Sequence, residues 1–141
     1  LALQAEEMEE INLRLQSRYR EIEKNEVRYE EVMCEDAEYL IVGFGISARL
    51  SQKAAEMARE EGIKVGLIRP ITLFPFPTNE IKKLAENVKG VLVVELSAGQ
   101  MVDDVRIAVN GKVPVEFFGK MGGIVPSPDE VLHALKEKII K

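Results

Sequence analysis

Four short apolar runs, separated by stretches with helical periodicity, constrain the fold of this 141-residue chain more than any other feature. The runs are Tyr39–Phe44, Ile63–Ile68, Val91–Leu96 and Val113–Phe118. Apolar runs without polar alternation are typical of strands covered on both faces. Strands that alternate with helices require right-handed parallel crossovers. We therefore predict an α/β fold, a three-layer sandwich with a mostly parallel sheet of about four strands.

The helices between these runs are predicted from apolar residues spaced three or four positions apart. They cover residues 47–61, 78–87 and 99–110, and a last helix carries Val131, Leu132, Leu135 and Ile139. We expect Ser47 to be the N-cap of the first of these helices. Glycines in 119–123 predict a flexible turn before residues 126–128, Pro-Ser-Pro, cap the last helix.

The N-terminal segment predicts a long amphipathic helix from about Leu3 to Lys24. Its apolar residues recur at spacings of three and four and share one face: Met8, Ile11, Leu15, Tyr19 and Ile22. Such a helix would be about 33 Å long, more than a domain of this size requires. We predict that residues 1–26 connect two bodies and that 27–141 form the domain. Residues 27–33 are ambiguous between a short extended piece and a loop.

Composition excludes several functions. The formal charge of −5 is concentrated in residues 1–31, where nine Glu face five Lys and Arg. The remainder is nearly neutral and has no basic stripe, which argues against nucleic-acid binding. No apolar run exceeds the length of a strand, so we expect no membrane span. Because the chain begins with Leu1 and shows no signal peptide, we expect it to be a fragment of a longer polypeptide.

Cys34 is the only cysteine and His133 the only histidine. One cysteine allows neither an internal disulfide nor a thiolate cluster, which favours a reducing, cytoplasmic location. We expect Glu35 and Asp36 to raise the pKa of the Cys34 thiol, so that it is unreactive. A single imidazole cannot build a metal site or a triad, and we expect His133 to face solvent or pack on a helix.

A proline-rich loop, Arg69–Pro77, follows the second apolar run. Its three prolines cannot continue a helix or a central strand, so the chain must leave the sheet in a shaped loop. Leu73, Phe74 and Phe76 would be costly to leave in water. The loop is therefore predicted to contact another domain or subunit.

Residues Gly43–Ala48 read GFGISA and match the G-x-G-x-x-A form of the dinucleotide fingerprint, between a strand and a helix. The fingerprint also needs an acidic residue at the end of the second strand, where this chain has Arg69 and Pro70. A tight turn that needs small residues is the favoured interpretation, and a nucleotide-binding module remains the alternative.

Glu95, Ser97 and Gln100 cluster at the predicted carboxyl edge of the sheet, where ligands or partners bind in open α/β folds. A lone carboxylate without a second acid, a base or a metal partner is weak support for catalysis. We expect Glu95 to order loops or to meet a neighbour, and we hypothesise that Arg69, Glu95 and Gln100 share one network.

Four motifs, in order, are VGFGISAR, LIRPITLFPFP, VVELSAGQM and GKMGGIVPSPDEV. Together they resemble the C-terminal domain of the alpha subunit of 2-oxoacid:ferredoxin oxidoreductases, over about residues 27–140. The final motif looks most like the 2-oxoglutarate type, with branched-chain 2-oxoacid enzymes as close relatives. The resemblance implies a fold similar to the transketolase C-terminal domain.

The resemblance also implies a role in an enzyme complex. Such enzymes use thiamine diphosphate, magnesium, iron–sulfur clusters and CoA, and pass electrons to ferredoxin. The resembling proteins keep the pyrimidine-binding domain upstream in the alpha subunit, and the diphosphate and metal motif in the beta subunit. This chain would then be inactive alone and would support domain and subunit assembly. Its exposed apolar surfaces favour self-association in isolation.

Overall fold

Four parallel strands and one antiparallel strand form the sheet of the computed structural model, which describes residues 4–140. The strands are β1 (Tyr29–Val32), β2 (Tyr39–Gly43), β3 (Val65–Pro70), β4 (Val91–Glu95) and β5 (Val115–Gly119). Their order across the sheet is β1-β3-β2-β4-β5, and β1 alone runs antiparallel, beside β3. The four predicted strands and the mostly parallel sheet are confirmed.

Helices cover both faces of the sheet, as the prediction of a three-layer sandwich requires. They are α1 (Ala5–Asn25), α2 (Gly45–Glu60), α3 (Thr78–Leu84), α4 (Met101–Val109) and α5 (Pro128–Leu135), followed by a π-helical turn (Lys136–Ile140). Helix α1 matches the predicted N-terminal helix within the described residues, and residues 1–3 of the predicted connector lie outside them. None of these helices combines the length and apolar character needed to cross a membrane.

The core consists of two apolar layers, one on each side of the sheet. Neighbouring residues of a strand point to opposite faces, so β2 sends Leu40 and Val42 to the layer under α3 and α4, and Ile41 to the layer under α2 and α5. All three side chains are fully buried. Burial on both faces explains why the runs show no polar alternation.

Strand β1 resolves the ambiguity of residues 27–33. It pairs with β3 in the register Tyr29↔Pro70 to Val32↔Leu67. Its four residues include Glu30 and Glu31, and charged side chains on a short edge strand discourage pairing with other chains. A sheet of four strands was predicted because so short and exposed a strand has no hydrophobic signature.

The turn between β2 and α2 is tight. A Cβ added at Gly43 would lie 3.3 Å from the backbone nitrogen of Ala48, so the absence of a side chain lets the helix start approach the strand end. The prediction that Ser47 is the N-cap is wrong. Phe44 holds that position with extended backbone, and Ser47 is buried in the first turn.

Helix α5 begins as predicted from residues 126–128. The Ser127 Oγ accepts a hydrogen bond from the Glu130 N–H at 3.2 Å, and the Glu130 carboxylate accepts one from the Ser127 N–H at 2.9 Å. Pro128 occupies the first helical turn, where its missing N–H costs nothing. This capping box fixes where the loop after β5 ends.

Candidate functional site

Exposed apolar side chains collect at the carboxyl edge of the sheet. Strands β2 to β5 all end at this edge, and β1 begins there because it runs antiparallel to β3. Beside β3 the edge carries Tyr29, Ile71, Leu73 and Phe74, of which Phe74 is 62% exposed and Leu73 47%. These residues cover the half of the edge that contains the proline loop.

The other half of the edge has a similar character. The segments that follow β2, β4 and β5 expose six further apolar side chains: Phe44, Ile46, Leu96, Met121, Ile124 and Val125. The backbone N–H of Lys120 bonds to the Glu95 carbonyl oxygen at 3.3 Å, which holds the loop after β5 beside the end of β4. We call the ten side chains at both halves the carboxyl-edge face.

The carboxyl-edge face accounts for nearly all of the exposed large apolar side chains outside α1. Among residues 26–140 there are eleven, and the exception is Ile107, near the other end of α4 and 72% exposed. Scattered exposed apolar residues are normal on a protein surface. Ten of the eleven lie along one edge, and this concentration makes the edge the candidate contact site of the domain.

Hydrogen bonds within the proline loop and to Arg28, just before β1, fix the conformation of the loop. The Thr72 hydroxyl donates to the Pro75 carbonyl oxygen at 2.8 Å and accepts from the Arg28 N–H at 3.0 Å. The Ile71 N–H bonds to the Arg28 carbonyl oxygen at 2.9 Å. Phe76 is half-buried and packs against the core layer under α3 and α4. The structure therefore separates the three apolar candidates: Leu73 and Phe74 point outward, whereas Phe76 anchors the loop.

Helix α1 contacts the same loop. The rings of Tyr19 and Phe74 meet edge-on, and a groove of about 570 Å³ lies between the end of α1 at Glu23 and Lys24 and the start of α3. No residue of α1 is fully buried, and its apolar stripe stays largely in solvent. The helix thus adds a second exposed apolar surface next to the carboxyl-edge face.

Glu95, at the end of β4, is only 2% exposed and is fully engaged inside the domain. Its carboxylate accepts hydrogen bonds from the backbone N–H groups of Gln100, Met101 and Val102, at 2.9 to 3.2 Å. The Ser97 hydroxyl donates to it at 3.1 Å. The carboxylate therefore caps the N-terminus of α4, where a negative charge is stabilised by the helix dipole.

Arg69 has a different partner from Glu95 and Gln100. Its guanidinium bonds to the Glu30 carboxylate of β1 at 2.9 Å. Successive side chains of a strand point to opposite faces of the sheet. Arg69 therefore points to the face covered by α2 and α5, whereas Glu95 points to the face covered by α4. The structure thus brings Glu95 and Gln100 together and leaves Arg69 out of their network.

A crevice of about 290 Å³ lies between the starts of α2 and α4. Strands β2 and β4 are neighbours although β3 separates them in sequence, so this is the topological switch point where α/β folds bind ligands. It is lined by three apolar side chains and by polar ones: Phe44, Ile46 and Leu96, with Ser47, Glu95, Ser97 and Gln100. The N-terminus of α4, where a ligand phosphate could bind, is occupied by the Glu95 carboxylate. Strand β3 ends in Arg69 and Pro70, where a dinucleotide site would have an acidic residue. The exposed wall of the crevice is mainly apolar, and its one charged group, the Glu95 carboxylate, is already engaged by hydrogen-bond donors.

Cys34 and His133 lie away from the carboxyl-edge face. Burial, and secondly the charge of Glu31, raise the pKa of the Cys34 thiol to about 11. The direction was predicted, but the cause is burial and Glu31 rather than Glu35 and Asp36. His133 faces solvent as predicted, 3.8 Å from the Glu137 carboxylate. The cytoplasmic location inferred from the lone cysteine stays a prediction.

The described residues fit neither a diphosphate–metal site nor an iron–sulfur cluster. A diphosphate–metal site needs free carboxylate or amide oxygens, and the buried carboxylate of Glu95 is already saturated by hydrogen-bond donors. Within residues 4–140 no three His, Cys, Asp or Glu side chains converge as a metal site would require. An iron–sulfur cluster needs several thiolates, and Cys34 stands alone.

Sequence comparison places this chain among 2-oxoacid oxidoreductases. The family model of pyruvate:ferredoxin oxidoreductase core domain II matches residues 37–131. The ketoisovalerate oxidoreductase subunit VorB of Methanothermobacter marburgensis is 47% identical over 135 residues, which are 96% of this chain and 38% of that protein. The 2-oxoglutarate synthase subunit KorA of the same organism is 38% identical over 101 residues, 72% of this chain and 27% of that protein. The chain thus spans under two fifths of the length of these relatives.

Solved structures share the fold. The 2-oxoglutarate:ferredoxin oxidoreductase from Magnetococcus marinus matches 96% of this chain and 24% of its own chain, with a TM-score of 0.78 and 17% identity. A split-gene transketolase matches 78% of this chain and 40% of its own, with a TM-score of 0.67 and 21% identity. The predicted transketolase-like fold is confirmed, and the domain boundary at residues 26 and 27 stays a prediction.

Proposed function

We infer the function of this chain from one established premise: it belongs to the family of pyruvate:ferredoxin oxidoreductase core domain II. We propose that it is the non-catalytic C-terminal domain of the alpha subunit of a thiamine-diphosphate-dependent 2-oxoacid:ferredoxin oxidoreductase. Its work is to hold domains and subunits together. The concentration of exposed apolar side chains on the carboxyl-edge face carries this proposal, because contiguous apolar patches on a protein surface mark sites of contact with other proteins or domains.

For the whole enzyme we propose a branched-chain 2-oxoacid as substrate, in place of the 2-oxoglutarate expected from the last motif. The support is the higher identity to the ketoisovalerate oxidoreductase subunit, 47%, than to the 2-oxoglutarate synthase subunit, 38%. The substrate pocket itself would lie mostly outside this chain.

We assign the cofactors to other parts of the assembly. Thiamine diphosphate and magnesium would be held by an upstream pyrimidine-binding domain and a beta subunit, and iron–sulfur clusters would carry electrons to ferredoxin. The acyl group would leave on CoA. The support within this chain is chemical, since Glu95 is used internally and Cys34 is a single, protonated thiol.

The assembly role is tested in the complete oxidoreductase that carries this chain. The substitution Phe74→Asp places a charge on the carboxyl-edge face, whereas Ile107→Asp places one at a still more exposed apolar position elsewhere. We expect Phe74→Asp to release subunits or domains, seen as a lower mass in size-exclusion chromatography with light scattering, and Ile107→Asp to leave the mass unchanged. An intact complex with both variants would refute the role of this loop.

The non-catalytic part of the proposal has its own test. Isothermal titration calorimetry of the isolated chain with thiamine diphosphate and Mg²⁺ should give no binding heat. Binding at micromolar concentration would contradict the proposal, because it would place cofactor contacts within these residues.

A nucleotide-binding module remains the second candidate. It is favoured by the start of α2, which has no side-chain cap and whose first residue, Gly45, has a φ of 57°. A ligand at 100 times its dissociation constant adds about 2.7 kcal/mol of stability. A thermal-shift screen with NAD(P), FAD and CoA would therefore reveal it. We expect no shift, since the crevice offers mainly apolar contacts.

A further inference from the structure

We propose that the whole carboxyl-edge face, from the proline loop to the loop after β5, is one continuous contact surface covered by the remaining part of the same full-length subunit. This rests on the proposed assembly role and deepens it, because it names the surface that covers the face. It also assigns a contact role to residues that the sequence analysis did not name as contact candidates, chiefly Met121, Ile124 and Leu96.

Continuity follows from the strand order. The order β1-β3-β2-β4-β5 places the Phe44–Ile46 turn between the proline loop and Leu96, and the loop after β5 beyond Leu96. Every strand therefore contributes at least one exposed apolar side chain at this edge. Five strands at about 4.8 Å spacing make the face about 19 Å wide. The crevice at the switch point lies in its middle, where a covering surface would close it.

The exposed area is sufficient for a stable contact. The ten side chains are each 37% to 62% exposed. With on the order of 200 Å² per free apolar or aromatic side chain, they offer on the order of 1,000 Å² together. A standard protein interface buries about 800 Å² on each partner. The proline loop alone, with Ile71, Leu73 and Phe74, would supply less than half of that.

Charge indicates which kind of surface covers the face. The charged side chains at its two ends are paired within the domain: Arg69 with Glu30 at 2.9 Å, and Lys120 with Glu130 at 2.8 Å. The Glu95 carboxylate is saturated by backbone donors. The face therefore matches an uncharged, apolar protein surface, whereas nucleic acid or an anionic membrane would require clustered cations.

The length of the relatives indicates where that surface is. This chain corresponds to 38% of the VorB subunit, so the rest of such a subunit is a body larger than this domain. A body on the same polypeptide is present at high effective concentration, which favours contact over a separate partner. We therefore commit to the remainder of the subunit rather than to a second copy.

The test is hydroxyl-radical footprinting with mass spectrometry on the full-length subunit and on the isolated chain. The probes are Met121 and Ile124 for the new half of the face, Phe74 for the proline loop, and Ile107 as the matched exposed control. Burial of a side chain in an interface core should slow its oxidation at least about fivefold. We expect this slowing at Met121, Ile124 and Phe74, independent of protein concentration, and none at Ile107.

Each of the other outcomes refutes a stated part of the proposal. Slowing at Phe74 without slowing at Met121 and Ile124 refutes the extended face and leaves the assembly role intact. Slowing that grows with protein concentration assigns the face to a second copy. Slowing only after other subunits are added assigns it to one of them. Unchanged oxidation at all four residues, in the subunit and in the complete oxidoreductase, refutes the assembly role as well.

Discussion

Tyr19 of α1 meets Phe74 of the proline loop edge-on, with ring centroids 6.1 Å apart and ring planes at 90°. Edge-to-face geometry is favourable for aromatic pairs and contributes about 0.5–1.5 kcal/mol beyond the area that they bury. Because no residue of α1 is fully buried, this pair is a main attachment of the helix to the domain. Phe74 thus has two roles: it holds α1 and it is part of the carboxyl-edge face.

The first prediction follows from that pair. Phe74→Ala should weaken the docking of α1 and raise hydrogen–deuterium exchange of its backbone amides by a factor of about 2 to 10. Leu73→Ala is the matched control, since Leu73 is in the same loop and also exposed. Equal exchange of α1 in the two variants would show that the ring pair does not hold the helix.

The second prediction concerns Glu95. Glu95→Gln replaces a carboxylate that accepts four close hydrogen bonds with an amide that brings N–H donors toward the backbone donors of α4. The free energy of unfolding should fall by about 2–3 kcal/mol, measured by urea denaturation. Glu60→Gln, at the exposed end of α2, should change it by less than about 0.5 kcal/mol. Equal small effects would show that the Glu95 cap contributes little.

The third prediction concerns Cys34. Its pKa of about 11 exceeds the ordinary value of 9.0, chiefly because the thiol is buried. Since the thiolate is the nucleophile, its reaction with Ellman's reagent at pH 7 should be about 100-fold slower in the folded chain than in the chain unfolded in urea. A folded-state rate equal to the unfolded rate would contradict the burial of this thiol.

The fourth prediction concerns pH and the loop after β5. The hydrogen bond from Lys120, and secondly that from the Ser127 N–H, lower the pKa of Glu130 below its ordinary 4.5. A carboxylate with a lowered folded-state pKa stabilises the fold above its unfolded pKa, and this contribution is lost as pH falls through the folded value. The stability difference between the wild type and Glu130→Gln should therefore be largest above pH 4.5 and shrink below it.

A series of urea denaturations across this pH range measures the effect. Lys120→Gln is the informative companion, because it removes the leading cause of the lowered pKa and keeps the capping box. The free energy of unfolding of Lys120→Gln should therefore depend less strongly on pH than that of the wild type. A difference between wild type and Glu130→Gln that is constant from pH 7 to pH 3 would contradict the assignment.

The sequence predicted the central strands because they are buried on both faces, which leaves continuous apolar runs such as Tyr39–Phe44. It predicted the start of α5 because Ser127 and Pro128 are residue types that favour the first positions of a helix. It did not predict β1, whose four residues are mostly exposed and gain their structure from pairing with β3. Local patterns do not report such tertiary pairing.

The candidate site was predicted in part. The proline loop was recognised because prolines and exposed aromatic residues are informative in sequence. Which of its side chains are buried was not predicted, since only the structure shows that Phe76 packs into the core while Phe74 points outward. Ile124 and Val125 were missed because they are two apolar residues in a Gly- and Pro-rich segment. Their meaning depends on the neighbouring strand ends, which come together only in the folded sheet.

The most direct measurement of the central claim is hydrogen–deuterium exchange of this chain alone and within the assembled oxidoreductase. Amides in residues 71–76 should exchange more slowly in the assembly, whereas those of the outward turn of α4 around Ile107 should exchange equally in both. Equal exchange of residues 71–76 in the two states would contradict the account, because the proline loop would then remain uncovered in the enzyme that it is proposed to hold together.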